Sequence, residues 1–291
     1  MSPYQITPSQ IDEFNEKGYL ILKNALPSEL LAELQASLSN ISTNAIASYG
    51  TGKILPNTSY IEENGKPILT RANNLIGHIP ETILDMFACL AMMAIARDLS
   101  GPGTIPIQCD ALFKHPHPES VVKWHQDALH SRNFPYLNIG VYLDDANVGD
   151  GCLIYVKGSQ HEKLKISELV KKYDWEIPNA EEIPAEAGDI LIQDMMVLHA
   201  SRIKKADGVR RTIYVEMRPE EAEIEQNVHS TKWIEARKRW MGIILRRSKI
   251  SWPEDTHGRF PDDLKSDEEE IASLLSIQES AIPANYGYDL N

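Results

Sequence analysis

A mainly β chain with helices added at both ends is the fold class that three observations predict. Between residues 101 and 218, short apolar or alternating runs recur between clusters of Gly, Pro, Asn and Asp, the texture of an all-β sandwich or barrel. Before this region and after residue 219, the apolar spacing changes to that of amphipathic helices. No internal repeat or low-complexity linker divides the 291 residues. One catalytic domain over 1–291 is therefore expected: N-terminal helices and a strand over 1–100, a β core over 101–218 and a C-terminal helical extension over 219–291.

Each element has its own warrant. Residues 8–18 predict a short helix capped by Thr7, with Ile11 and Phe14 facing inward and Gly18 as the stop. Residues 19–22 read as a buried strand. Residues 27–40 predict a helix with Leu30, Leu31, Leu34 and Leu38 on one stripe. Residues 39–67, rich in Asn, Ser, Thr and Gly, read as a loop region. Residues 79–99 are helical in length, and Met86, Met92 and Met93 are expected as adaptable core packing. Strands are expected over 105–114, 121–127, 137–143, 152–156, 189–193, 196–203 and 210–218, with a helical insertion over 163–179. Helices return over 231–249 and between 262 and 275.

Composition narrows the function. A net charge of −13 opposes binding to a phosphate backbone, which calls for a basic surface, so no nucleic-acid partner is expected. Cys89, Cys109 and Cys152 form no CxxC pair and no even-numbered framework, which suits reduced thiols in a core. The first ten residues are polar, and the apolar run over 83–95 is too short to span a bilayer. No membrane partner and a cytoplasmic location are expected.

The chemistry gathers at Val121-Val122-Lys123-Trp124-His125-Gln126-Asp127. Residues two apart on an extended chain share a face. His125 and Asp127 therefore offer an imidazole nitrogen and a carboxylate oxygen to one point. Two His and one carboxylate on one face of an octahedral ion make the facial triad of non-haem Fe(II) oxygenases, so a third ligand must come from elsewhere. His199 is the candidate, because it sits in the apolar run Met195-Met196-Val197-Leu198, where an unpaired imidazole is costly. Ser201, two residues on, shares its face. Residues 204–208 read as a hairpin loop leading to Arg210-Arg211-Thr212-Ile213-Tyr214-Val215, where an arginine would offer a fork to a carboxylate. A tight Asp207-Gly208 turn would set Ser201 opposite Tyr214. A longer loop brings Arg210 level with it and is preferred, with Arg211 the alternative if the strand phase slips by one.

Four features together carry a resemblance: Trp124-His125-Gln126-Asp127; the stretch Asp150-Gly151-Cys152-Leu153-Ile154-Tyr155-Val156-Lys157-Gly158-Ser159-Gln160-His161; Gly188-Asp189; and His199-Ala200-Ser201 followed by Arg210. The chain resembles the phytanoyl-CoA dioxygenase-like group of Fe(II)/2-oxoglutarate-dependent oxygenases over residues 8–218. One departure is the turn Lys157-Gly158-Ser159-Gln160, where the family has Pro-Gly-Ser-His and this chain carries His161 one place later. The resemblance implies a double-stranded β-helix (jelly-roll, cupin-like) core. It implies Fe(II) held by His125, Asp127 and His199, 2-oxoglutarate gripped at its far carboxylate by Arg210 and Ser201, and O2 as co-reactant. Halogenases of this chemistry lack the carboxylate ligand, so Asp127 points to hydroxylation, desaturation or cyclisation of a small molecule, expected from secondary metabolism, with release of succinate and CO2.

Three other functions rank behind. Oxidation of an acyl-CoA or carrier-bound acyl substrate lacks a phosphate-binding basic cluster before the C-terminal helix and a peroxisomal address. A non-catalytic cupin-like metal or small-ligand binder has no need of a 2-oxoglutarate clamp, and zinc hydrolysis suits the ligand set less well. His115 and His117, set between prolines, read as loop residues, as do His130 and Arg132 more than as substrate contacts. Lys114 and Gln108 lie where cosubstrate contacts can arise. The basic helix over 232–249 reads as a solvated face with Trp233 and Trp240 packed on the barrel, the sharper readings being a lid or a homodimer contact. Residues 282–288 either tuck back near the site or fray.

Overall fold

Local signals set the first boundaries. α1 (Pro8–Lys17) starts in a capping box: the Gln10 amide donates to the Thr7 hydroxyl at 3.3 Å, and the Thr7 amide donates to the Gln10 side chain at 2.9 Å. It stops at Gly18, left-handed at φ 83°, where a Cβ would meet Gln160 Oε1 at 2.5 Å. β1 (Tyr19–Leu22), α2 (Ser28–Gly50), β2 (Thr58–Glu63), β3 (Lys66–Ala72), α3 (Pro80–Ala88) and α4 (Leu90–Ile95) follow. The β core runs β4 (Thr104–Lys114), β5 (Val122–His125), β6 (Leu137–Tyr142), β7 (Leu153–Val156), α5 (Ile166–Tyr173), β8 (Ala180–Ile183), β9 (Ile190–Asp194), β10 (His199–Ser201) and β11 (Arg210–Pro219). α6 (Glu220–Gln226), α7 (Thr231–Arg247) and α8 (Asp267–Ser276) come last. The structure, a computed structural model, describes residues 4–253 and 258–277, so the segment 282–288 lies outside the described residues.

Among the described residues the strands form two antiparallel sheets, ordered β1-β9-β6-β11-β4-β3-β2 and β5-β10-β7-β8. The sheets face each other, Tyr19 of the larger stacking on Tyr155 of the smaller with centroids 4.6 Å apart. This is a jelly roll with flanking helices. Alternation gives the larger sheet two unlike faces. Ile107, Cys109, Ala111 and Phe113 of β4 and Ile213, Val215 and Met217 of β11 join Leu34, Leu38, Phe87 and Trp240 of the helices in one apolar core. The intervening residues turn toward the smaller sheet and are largely polar. Gln193, Asn138, Glu216 and Gln108 make one register row across β9, β6, β11 and β4.

Three sequence expectations change. Residues 39–67 are no loop. α2 runs on to Gly50 because Ile41 and Ala45 continue the buried stripe of Leu34 and Leu38. The Asn64-Gly65 pair, at φ 52° and 73°, then turns a hairpin between β2 and β3. The segment 79–99 breaks at extended Cys89. One straight helix could not bury Phe87 and all of Ala91–Ile95 against a single sheet face, and the break re-aims the second piece. Finally, Ser201 and Arg210 are not on a hairpin. β10 is already flanked by β5 and β7, and β11 by β4 and β6, so residues 202–209 cross between the sheets. Met86, Met92 and Met93 are fully buried core residues.

Candidate active site

β5 and β10 are neighbours, and their register sets His125 opposite His199 with ring centroids 4.2 Å apart. Asp127 follows just past the end of β5. Its Oδ1 lies 3.2 Å from His125 Nε2 and 3.6 Å from His199 Nε2. All three residues are buried, and one ligand atom from each lies within 4.8 Å of the others. Backbone carbonyls aim both rings: His125 Nδ1 donates to Lys123 O at 2.7 Å and His199 Nδ1 to Val197 O at 3.0 Å. A carbonyl can only accept, so each Nδ1 carries the proton and each Nε2 presents its lone pair to the shared point.

The carboxylate is aimed from the opposite sheet. Asn138 Nδ2 and Gln193 Nε2 donate to Asp127 Oδ2 at 2.8 and 2.7 Å, leaving Oδ1 toward the imidazoles. The Tyr155 hydroxyl donates to Gln193 Oε1 and so fixes which end of that amide meets Asp127. Burial pushes the Asp127 carboxyl up, but His199, His125 and the Asn138 hydrogen bond outweigh it and hold the group well below the usual carboxylate range. Burial, then the neighbouring His125, drives His199 down to about 4. Burial also opposes the charge on His125, yet the hydrogen bond and charge of Asp127 win and raise it. Two imidazole nitrogens and one anionic oxygen at a single buried point fit a divalent first-row cation.

A second cluster lies where the two sheets meet near Gly151. Arg210 Nη1 and Ser201 Oγ both donate to Gly151 O, at 2.6 and 2.8 Å. Each residue is 2% exposed. Among the described residues no carboxylate pairs with Arg210, and its Nε has no hydrogen-bond partner. A buried guanidinium without an anion is several kcal/mol unfavourable, roughly, and an arriving carboxylate would relieve that. Arg211 turns to the other face, where Nε and Nη2 grip Asp144 at 2.8 and 2.7 Å.

Other singled-out residues have structural partners. His115 Nε2 meets Leu69 O, and His117 accepts the Glu119 amide. His130 stacks on Tyr136 at 4.0 Å beside Asp194, and Arg132 donates to Gln160 O. α7 lies on the helix side of the larger sheet, away from the triad, with Trp240 edge-on to Phe87 at 5.3 Å. In the turn after β7, Ser159 Oγ accepts the Leu198 amide at 2.8 Å, one residue before His199. Sequence reasoning missed Asn138, Gln193 and Tyr155. Their one signal was a polar group within an otherwise apolar run: Asn138 and Tyr155 singly, Gln193 next to Asp194.

Relatives bear on this geometry. The family described as phytanoyl-CoA dioxygenase (PhyH) matches residues 14–212, a span that holds all three converging ligands and Arg210. Phytanoyl-CoA dioxygenase domain-containing protein 1 of Bos taurus is 24% identical over 190 residues, 53% of this chain and 65% of that protein, so the match spans less than two thirds of the bovine relative. Dioxygenase lolE1 of Epichloe uncinata is 26% identical over 219 residues, covering 72% of this chain and 81% of its own. The crystal structure of HygX from Streptomyces hygroscopicus with nickel and 2-oxoglutarate bound is similar in fold, with a TM-score of 0.58 at 18% identity over 74% of this chain and 88% of that one. A family match over residues 14–212, which includes the strands that bring the buried histidines and aspartate together, places the chain: it belongs to the phytanoyl-CoA dioxygenase (PhyH) family.

Proposed function

We propose that this chain is an Fe(II)/2-oxoglutarate-dependent dioxygenase that oxidises a polar small molecule and releases succinate and CO2. The observation that carries the reading is the convergence of His125 Nε2, His199 Nε2 and Asp127 Oδ1, each held from behind by its own hydrogen bonds. Ferrous iron with 2-oxoglutarate and O2 supplies oxidative decarboxylation and the oxidant for a substrate C–H bond. His125, Asp127 and His199 are the residues to hold the ion. Asn138 and Gln193 keep Asp127 from swinging its second oxygen into the site. Arg210 and Ser201 are the residues to grip the cosubstrate's far carboxylate, a role supported by the burial of Arg210 without a carboxylate partner among the described residues.

The polar row supports a polar substrate. Gln108, Asn138 and Glu216 are part-exposed and lie in one row on the inner face of the larger sheet, a row that meets the triad at Asn138. An acyl chain laid along them would cover the remaining polar surface of Gln108 and Glu216 without offering it hydrogen bonds. That disfavours the acyl-thioester alternative. A non-catalytic binder would leave the buried, anion-free Arg210 without a purpose. No helix among the described residues is long and apolar enough to cross a membrane.

The test is conversion of 2-oxoglutarate to succinate in air with added Fe(II), in the wild type and in His125→Ala. Succinate formation that disappears in the variant is expected; formation that persists there would overturn the assignment.

A further inference from the structure

The polar row that meets the triad is one-sided in its hydrogen bonding. Glu216 on β11 stands directly opposite Asn138 on β6 and opposite Gln108 on β4. Neighbouring strands lie about 4.8 Å apart, so the three side chains span roughly 10 Å. Each amide has its donor end committed to a carboxylate. Asn138 Nδ2 donates to Asp127 Oδ2 at 2.8 Å, and Gln108 Nε2 donates to Asp110 Oδ2 at 2.5 Å. A carboxylate oxygen accepts, so the end that each amide has left is its carbonyl oxygen.

What remains is a set of acceptors without donors. Asn138 Oδ1 is buried and has no hydrogen-bond partner. Among the described residues no donor meets Gln108 Oε1 or Glu216 Oε1 either. Glu216 Oε2 alone is engaged, by Arg218 Nη2 at 2.7 Å. That guanidinium does not serve the rest of the row. Its Nη1 turns to Glu223 Oε1 and Gln226 Oε1, both at 3.2 Å, and its centre lies 4.6 Å from the Tyr136 ring centroid. Arg71, which acts on Asp110 from β3, is exposed. A buried carbonyl with no donor is unfavourable, and setting a carboxylate beside it adds repulsion. An apolar ligand leaves this unrelieved, and one that only accepts makes it worse. A cation bearing N–H groups supplies both the missing hydrogen bonds and the missing charge.

We propose that the substrate carries a protonated amine or guanidine group, seated beside the metal site on the carbonyl oxygens of Asn138 and Gln108 and the carboxylate of Glu216. This deepens the dioxygenase reading above and rests on it. Glu216 is the specificity-determining residue, because it alone brings charge to the row. Burial raises its carboxyl above the ordinary 4.5, Arg218 opposes that, and Asp127 and Asp110 add to it; a docked cation favours the charged form. Asn138 has a double part. One end of its amide holds Asp127 and the other meets the substrate, so the carbon to be oxidised is one close to the charged nitrogen.

The experiment uses two probes of one shape and different charge, N-methylguanidinium and neutral N-methylurea, titrated into protein loaded with 2-oxoglutarate and with Mn(II) in place of Fe(II). An ion with unpaired electrons broadens the NMR signal of protons held near it, so each probe's methyl line reports seating beside the triad. The wild type is expected to broaden N-methylguanidinium well beyond N-methylurea. Glu216→Gln should bind N-methylguanidinium roughly 10- to 100-fold more weakly. Its N-methylurea signal should not change, whereas a folding defect would weaken both probes alike. Glutamine can still accept from Arg218, so the variant removes charge and keeps that contact. Gln108→Met, the second variant, should lower the same preference by a smaller factor. No broadening of either probe, equal broadening of both in the wild type, or a preference undiminished in both variants would overturn the proposal. Succinate formation by the Fe(II) protein, lost in His125→Ala, leaves the dioxygenase reading standing in each of those cases. Failure of the wild type to take up Mn(II) would instead overturn that reading, and this proposal with it.

Discussion

Removing the amide of Asn138 isolates the contribution of the opposite sheet to the metal site. Its Nδ2 donates to Asp127 Oδ2 at 2.8 Å, while its Oδ1 has no hydrogen-bond partner, so Asn138→Ala breaks one bond and orphans nothing else. A hydrogen bond to a charged acceptor contributes about 1.5–3 kcal/mol. At about 1.4 kcal/mol per factor of ten, that is a weakening of Fe(II) binding by roughly 10- to 150-fold if the bond serves only to aim the ligand. The range agrees with the roughly 10- to 100-fold typical of lost outer partners to metal ligands. Gln193 still holds Oδ2 at 2.7 Å, so the lower half of the range is expected. Anaerobic competition against a chromophoric chelator measures the affinity, and melting of the metal-free protein controls for folding. Affinity within about twofold of wild type, with folding unchanged, would refute the idea that this sheet orients the carboxylate.

Three further outcomes follow. Arg210→Met should raise the KM for 2-oxoglutarate by roughly 100-fold, whereas Arg211→Met should leave it unchanged and instead lower stability by about 1–3 kcal/mol through loss of the Asp144 grip; steady-state kinetics paired with chemical denaturation distinguishes them. Fe(II) affinity should fall about tenfold per pH unit as pH drops through the His125 value, which sits above the ordinary 6.5, because only neutral imidazole ligates; chelator competition between about pH 6 and 8 checks the slope, and a flat profile contradicts it. Gly18→Ala, forced into φ 83° and against Gln160, should destabilise by roughly 2 kcal/mol or more, read as a fall of about 4–8 °C in Tm.

Much of the site was legible because its spacing is short-range. His-x-Asp on a strand dictates a shared face wherever the strand goes, and a lone histidine in an apolar run demands a partner. The relation of Ser201 to Arg210 was not legible in the same way. Reading 204–208 as a hairpin loop assumed that sequence neighbours pair, but β10 had both edges taken, and the two residues meet across the gap between sheets. Residues 39–67 were misread because polar composition outweighed periodicity: Ile41 and Ala45 keep helical phase with Leu38, and Asn64-Gly65 is a strong hairpin signal in its own right. Asn138 and Gln193 stayed hidden for another reason. An amide in a strand has no meaning until the register shows what stands across from it.

The division of labour between alternate residues of β4, β6 and β11 bears on how this protein can change. Odd-numbered positions on these strands anchor the helices, so altering them risks the fold. The even-numbered Gln108 and Glu216 face the reaction chamber and stand outside that apolar anchoring, whereas Asn138 beside them holds Asp127. A lineage can therefore exchange one set for new chemistry while the other stays fixed. In the laboratory, Gln108 and Glu216 are the first positions to randomise when a different molecule is to be accepted.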